Sequence, residues 1–358
     1  MRLIITGGGT GGHVFPGVAV AKELKSRNER HTILFAGAER GVETKIVPFE
    51  GFEIRTMEVT GIKGKGIFGV AASLWRLAKA VRESMRIISD FNPDVVLGVG
   101  GYASGAVGLA AIVMGKPLAL AEQNSAPGLT NRWLGKFAKK VFVTWPGSEK
   151  SFPDGKAIVA GNPIRSEFFK VKKEKNDARL GILAIGGSQG ARSINRAMVE
   201  AVEKLNSLAD KIVVVHQTGV KELDAVRKGY EAAKFPFTVE AFFNDMPQRI
   251  ADADIVITRS GAGAVAEICA VGRMAVYVPF PFAADDHQTK NAEAMASCGA
   301  ALVVKDSEIN GAYIVSAVAE SLSESNRLKE MGAKAKAMAK PDAASAIADE
   351  ILKLAKAA

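Results

Sequence analysis

A chain of 358 residues is too long for one ordinary hydrophobic core, so two domains are expected. At 48% hydrophobic and 24% charged residues, the composition excludes a disordered protein. Lys and Arg outnumber Asp and Glu by 47 to 38, and the net charge of +9 favours anionic partners: phosphorylated substrates, acidic lipid or nucleic acid.

The chain opens on a short apolar run, Leu3 to Ile5, that reads as a buried strand. It breaks into Gly7, Gly8, Gly9, Thr10, Gly11 and Gly12, then His13, and an amphipathic helical pattern runs from Val14 to Leu24. Glycines at a strand-to-helix turn let a backbone approach a ligand closely. The N–H groups opening the helix attract an anion, and His13 stands at the mouth of that site. With the first strand starting at Arg2, no signal peptide is expected.

Further strands are expected at Thr32–Ala36, Glu53–Val59, Asp94–Val99, Pro117–Ala121, Lys140–Thr144 and Ala157–Ala160. Alternation with helical patterns implies a parallel sheet covered on both faces. Between the third and fourth strands, Ile67, Phe68, Val70, Leu74 and Trp75 are interleaved with Lys63, Lys65, Arg76, Lys79 and Arg82. An apolar patch ringed by cations suits an anionic bilayer, and an amphipathic core helix with a basic face is the plain alternative. With 7% aromatic residues and none arrayed along a basic groove, no nucleic-acid site is expected. A second glycine turn, Gly98 to Gly105, has Tyr102 at its tip. The apolar stretch from Tyr102 to Ala121 is interrupted by Gly105, Gly108, Gly115 and Pro117, so it reads as helix, turn and strand rather than a membrane span.

After the charged stretch Lys170 to Asp177 the opening theme returns. Leu180–Ile185 is strand-like, Gly186 to Gly190 is a glycine turn carrying Ser188, and Ala191 to Leu205 reads as a helix. Strands are expected at Lys211–His216, Phe237–Ala241, Asp254–Thr258, Ala275–Val278 and Ala300–Val304, with a last helix over Asp342–Lys356. Cys269 and Cys298 fall in apolar helical patterns, which suits small buried residues of a reducing compartment. Two strand–glycine–helix openings, one heading each half, indicate two Rossmann-like domains facing across a cleft, an α/β architecture.

Gly7, Gly9 and Gly12 satisfy G-x-G-x-x-G, but the acidic residue a dinucleotide site needs after the second strand is late (Glu39), and no Walker lysine follows. Ser260 to Glu267 opens a helix on small residues, where a diphosphate or sugar would fit. Asp285, Asp286, His287 and Gln288 would bind sugar hydroxyls or cap a helix. Asp252-Ala-Asp254 has the form of a metal–diphosphate motif but falls where a helix hands over to a strand. His13, His31, His216 and His287 lack paired ligand spacing, so no metal and no cofactor are expected.

Taken together, Gly8–Gly17, Gly98–Gly105, Glu122–Asn131, Gly161–Arg165, Gly186–Asn195 and Ser260–Glu267 resemble, in order, the motifs of the MurG-type lipid II-forming glycosyltransferases. The resemblance implies a GT-B fold, with an acceptor and membrane domain over 1–163 joined by helix 342–358, and a donor domain over 164–341. It implies transfer of N-acetylglucosamine from UDP-GlcNAc to the 4-hydroxyl of the muramoyl sugar of lipid I, with inversion, on the cytoplasmic face of the inner membrane. Carried over by position, the donor would meet Thr10, Gly11, Gly12, Asn124, Arg165, Ser188, the backbone of Phe243, Ala262, Gly263, Ala264, Val265, Ala266, Glu267 and Gln288. The acceptor would meet Gly12, Gly101 and Tyr102, and His13 would be the general base. Two positions depart from the family: Ala264 where many members have threonine, and His287 where some have glutamine. An NAD(P)-dependent oxidoreductase and a non-catalytic nucleotide-sugar-binding protein are the alternatives.

Overall fold

In the computed structural model the chain is described over residues 1–59, 67–174, 177–187 and 190–357, without the side chains of 67–74 and 284. Lys63, Lys65 and Ser188 lie outside the described residues, as do the side chains of Ile67, Phe68, Val70 and Leu74.

The described residues divide into two compact units, Met1–Arg165 with Lys340–Ala358, and Ser166–Ala339. The first holds seven parallel strands: β1 (Arg2–Thr6), β2 (Thr32–Ala38), β3 (Glu53–Met57), β4 (Val95–Gly98), β5 (Leu118–Glu122), β6 (Lys140–Val143) and β7 (Ala157–Val159). Their order is β3-β2-β1-β4-β5-β6-β7. The second holds β8 (Leu180–Ile185), β9 (Ile212–Gln217), β10 (Phe237–Glu240), β11 (Ile255–Thr258), β12 (Met274–Tyr277) and β13 (Ala301–Val303), in the order β10-β9-β8-β11-β12-β13. Every expected strand is there, with ends shifted by a residue or two. β3 stops short of Val59 because its partner β2 ends at Ala38, opposite Met57.

Strand alternation explains the two-sided core. Leu3, Ile5, Ile33, Phe35, Val95 and Leu97 face one cluster, while Ile4, Leu34, Ala36 and Val96 face the other. The first cluster is covered by Val14, Val18, Ala21 and Leu24 of helix Gly11–Arg27, and by Ile347, Ala348 and Ile351 of the last helix, Ala343–Lys356. The second is covered by Ala106, Val107 and Ala110 of helix Gly101–Val113, and by Ala80, Ile87 and Ile88 of helix Ile67–Phe91. The last helix is also tied to the first by Arg27, which bonds Asp349 and Ser345. That exposed pair adds little beside the buried apolar contacts.

The helix expected from Val14 starts earlier, at Gly11, so Gly11, Gly12 and His13 form its first turn. The glycine turn proper is therefore Gly7 to Thr10. Tyr102 to Ala121 folds as expected, into helix Gly101–Val113, a turn and β5. No described helix is long and apolar enough to cross a membrane.

Because Ile347 is fully buried against the β1 face, Ile347→Ala should lower the stability of the first unit by about 2–5 kcal/mol. Denaturant unfolding of the full chain measures this, and an unshifted midpoint would contradict the docking of the last helix.

Candidate functional site

In each sheet the strand order reverses once, between β1 and β4 and between β8 and β11. Open α/β sheets bind ligands outside the carboxyl ends of their strands at such a switch point. In the first unit the two loops leaving that point are the glycine turns after β1 and β4. The Gly8 N–H donates to the Gly100 carbonyl at 3.3 Å. Gly100 and Gly101 have φ of +94° and +83°. A Cβ on Gly101 would lie 2.4 Å from the Gly8 oxygen, and one on Gly100 2.8 Å from His13 Cδ2. Only glycine permits this approach.

His13 is half-buried on the first turn of its helix. Its Nδ1 lies 3.2 Å from the Gly8 carbonyl oxygen and 3.3 Å from Thr10 Oγ1. A carbonyl can only accept, so Nδ1 carries the proton in the neutral ring and the lone pair is on Nε2. Gly12 is exposed beside it, and Tyr102, 64% exposed, stands one residue beyond Gly101. The guanidinium of Arg165, the last residue of this unit's first segment, lies 5.6 Å over the Phe15 ring.

The stretch from Glu122 to Asn131 is built round a buried carboxylate. Glu122 Oε1 accepts the N–H and Nδ2 of Asn124, and Oε2 accepts the Gly128 N–H and Asn131 Nδ2. Burial pushes the Glu122 pKa above the ordinary carboxylate value, and these donors oppose the shift. Asn124 is thus positioned by Glu122.

At the second switch point, β11 runs through Arg259, Ser260 and Gly261 into helix Ala262–Val271. Gly261 is an extended N-cap without a side-chain cap bond, and the first turn holds no acidic residue. A Cβ on Gly261 or Gly263 would meet nothing within 4 Å, so the helix start is open. Its N–H groups and macrodipole make an anion site. Ala262 and Val265 face the core, so these two offer a ligand main chain only, while Gly263, Ala264, Ala266 and Glu267 are half-buried. Gln288 Oε1 accepts the Phe280 N–H at 3.0 Å, and its carbonyl accepts the Ser260 hydroxyl at 2.8 Å. The Phe243 N–H donates to Gln217 Oε1, which leaves the Phe243 carbonyl as its main-chain handle; its ring is buried under Arg249. Asp286 stands at the N-cap position of helix His287–Ser297 without capping its N–H groups, and its carboxylate accepts the Thr289 hydroxyl. The metal-like pair is occupied by protein. Asp252 accepts the Glu174 N–H and Gln248 Nε2, and Asp254 pairs with Lys173 and accepts the Gly181 N–H.

Comparison with known proteins places this geometry. Residues 3–143 match the glycosyltransferase family 28 N-terminal domain, and residues 181–347 the glycosyltransferase family 28 C-terminal domain. The chain belongs to glycosyltransferase family 28. A relative in Myxococcus xanthus is 43% identical over 98% of this chain and 92% of its own length. Another, in Syntrophus aciditrophicus, is 43% identical over 98% of both. Each is named UDP-N-acetylglucosamine--N-acetylmuramyl-(pentapeptide) pyrophosphoryl-undecaprenol N-acetylglucosamine transferase. The crystal structure of Acinetobacter baumannii MurG aligns with a TM-score of 0.81 at 32% identity, covering 98% of this chain and 99% of that one. The GT-B architecture of two α/β domains is therefore this family-28 chain's own.

Two features of the structure were not read from the sequence. Glu43 is buried at 1% exposure and holds the first glycine turn: Oε2 accepts the Gly9 N–H and Oε1 the Ala38 N–H, both at 2.9 Å. Near the glycine turn that follows β8 lies a buried chain, in which the Tyr230 hydroxyl donates to His216 Nδ1 and His216 Nε2 donates to Asn195 Oδ1. Asn195 Nδ2 then donates to the Thr218 carbonyl and to Glu222. Of the basic–apolar patch, Trp75 is 68% exposed and Arg76 is exposed, while Lys79 is paired with Glu58.

Burial lowers the His216 pKa from its ordinary value of 6.5 to about 3. Below 6.5 the unfolded chain takes up a proton that the folded one refuses. The resulting stability is complete above 6.5 and declines as pH falls toward 3. Unfolding of the second unit measured across this window should show that decline, and His216→Gln should flatten it. An equal slope in both proteins would contradict the buried neutral ring.

Proposed function

We propose that this chain transfers N-acetylglucosamine from UDP-GlcNAc to the 4-hydroxyl of the N-acetylmuramoyl sugar in undecaprenyl-diphospho-MurNAc-pentapeptide, converting lipid I to lipid II. Relatives carrying that activity in their names align over nearly the whole chain. The observation that carries the mechanism is the 3.2 Å approach of His13 Nδ1 to the Gly8 carbonyl, which assigns the proton to Nδ1 and the basic lone pair to Nε2.

The acceptor's 4-oxygen attacks the anomeric carbon of GlcNAc, its proton passes to His13 Nε2, and the bond from that carbon to the UDP oxygen breaks. One displacement turns an α-linked donor into a β1→4 product. Charge grows on the UDP leaving group, where the open start of helix Ala262–Val271 supplies fixed N–H donors. Arg165 adds a cation, and no metal is invoked. Thr10, Gly11, Gly12 and Asn124 complete the donor contacts of the first unit, and Ser188, the Phe243 carbonyl, Glu267 and Gln288 those of the second. Gly12, Gly101 and Tyr102 receive the acceptor's diphosphate end. The chain works as a peripheral protein on the cytoplasmic face of the inner membrane, held by the exposed Trp75 and its basic neighbours.

UDP release from UDP-GlcNAc should require a lipid I analogue and proceed undiminished in EDTA. Turnover restored by magnesium after chelation would refute the metal-free reading, and binding of UDP-GlcNAc without turnover would leave a sensor. His13→Ala should lower kcat by about 10²–10⁴-fold with UDP-GlcNAc binding retained; near-normal turnover would remove His13 from the base role. Binding to anionic vesicles should weaken steeply with salt and drop in a Phe68→Ser, Trp75→Ser double variant. Salt-independent binding would contradict the membrane face.

A further inference from the structure

We propose that Glu43 is a positioning residue for the transfer: through the Gly8–Gly9 peptide it fixes which nitrogen of His13 carries the proton. The inference rests on His13 as the base. Gly8 and Gly9 share one peptide unit, and its two polar ends are held from opposite sides. The Gly9 N–H donates to Glu43 Oε2 at 2.9 Å, and the Gly8 C=O faces His13 Nδ1 at 3.2 Å. A peptide unit is planar and trans, so anchoring its N–H aims its C=O. Were this plane to turn over, an N–H would face Nδ1, the lone pair would be needed there, and Nε2 would carry the proton. The ring would then have no base to offer the acceptor.

Among the described residues Glu43 is buried without a cation among its hydrogen-bond partners, and burying a charge is a poor way to gain stability. Three glycines make room for it. A Cβ on Gly8 or Gly41 would lie 2.0 Å from a carboxylate oxygen, and one on Gly37 2.7 Å from Glu43 Cγ. The position demands a group that only accepts, since both neighbours are N–H donors. Glutamine has the right size, but its NH₂ must face one of them. A carboxylate on the amide also draws electron density toward the Gly8 oxygen, which strengthens its bond to Nδ1.

The test is a double-mutant cycle on the full chain, read by UDP release with a lipid I analogue. Glu43→Gln should lower kcat about 10- to 100-fold, by analogy with partners that fix the tautomer of metal-bound histidines, with the KM for UDP-GlcNAc unchanged. In a His13→Ala background the same change should cost less than about twofold, because the two act as one unit. If Glu43→Gln does not fold, Glu43→Asp, which keeps an acceptor-only group on a shorter stem, takes its place with the same non-additive pattern expected. A kcat within about twofold of native, or a full second loss in the His13→Ala background, would overturn the proposal. Failure of the base assignment itself shows separately, as near-normal turnover in His13→Ala alone.

Discussion

The structure depends on how closely two main-chain turns approach at the end of the first sheet. Gly8 lies against Gly101 at a separation that leaves no room for a methyl group. The parallel pairing of β1 with β4 brings their ends together, and the reversal of strand order opens the sheet at that point. Side chains could not enter this space without prising the loops apart. The main chain itself lines this end of the sheet, and the Gly8 carbonyl becomes the means of orienting the His13 ring.

The second unit repeats the arrangement with a different emphasis. There His216 is buried, neutral and bonded at both nitrogens. What faces outward is a bare helix start, with glycine at the N-cap and no acidic residue in the first turn. In the proposed reaction the first unit supplies the base and the second the anion site. That division is what transfer from a nucleotide diphosphate to an alcohol requires.

Much of this was legible in the sequence. Short apolar runs marked the strands, because buried parallel strands admit little else. The glycine turns and the Ser260–Glu267 helix start were legible because their function resides in backbone, and small residues announce an exposed backbone. Glu43 and Glu122 were not. Each reads locally as an ordinary surface acid, Glu43 at a helix start and Glu122 at a strand end. Their burial arises only when the sheet brings Gly8, Gly37 and Gly41 round one, and folds Asn124, Gly128 and Asn131 over the other. The start of the first helix was also misplaced, since three residues of a glycine run continue the helix without any apolar period to mark it.

The central claim is that Gly8 holds His13 with its proton on Nδ1, and ¹⁵N magnetic resonance of the full chain labelled at histidine tests it most directly. At a pH where His13 is neutral, the account predicts a protonated, pyrrole-type signal for its Nδ1 and an unprotonated, pyridine-type signal for Nε2, assigned by loss in His13→Ala. The reverse pattern, or an averaged pair of signals as in free imidazole, would contradict it.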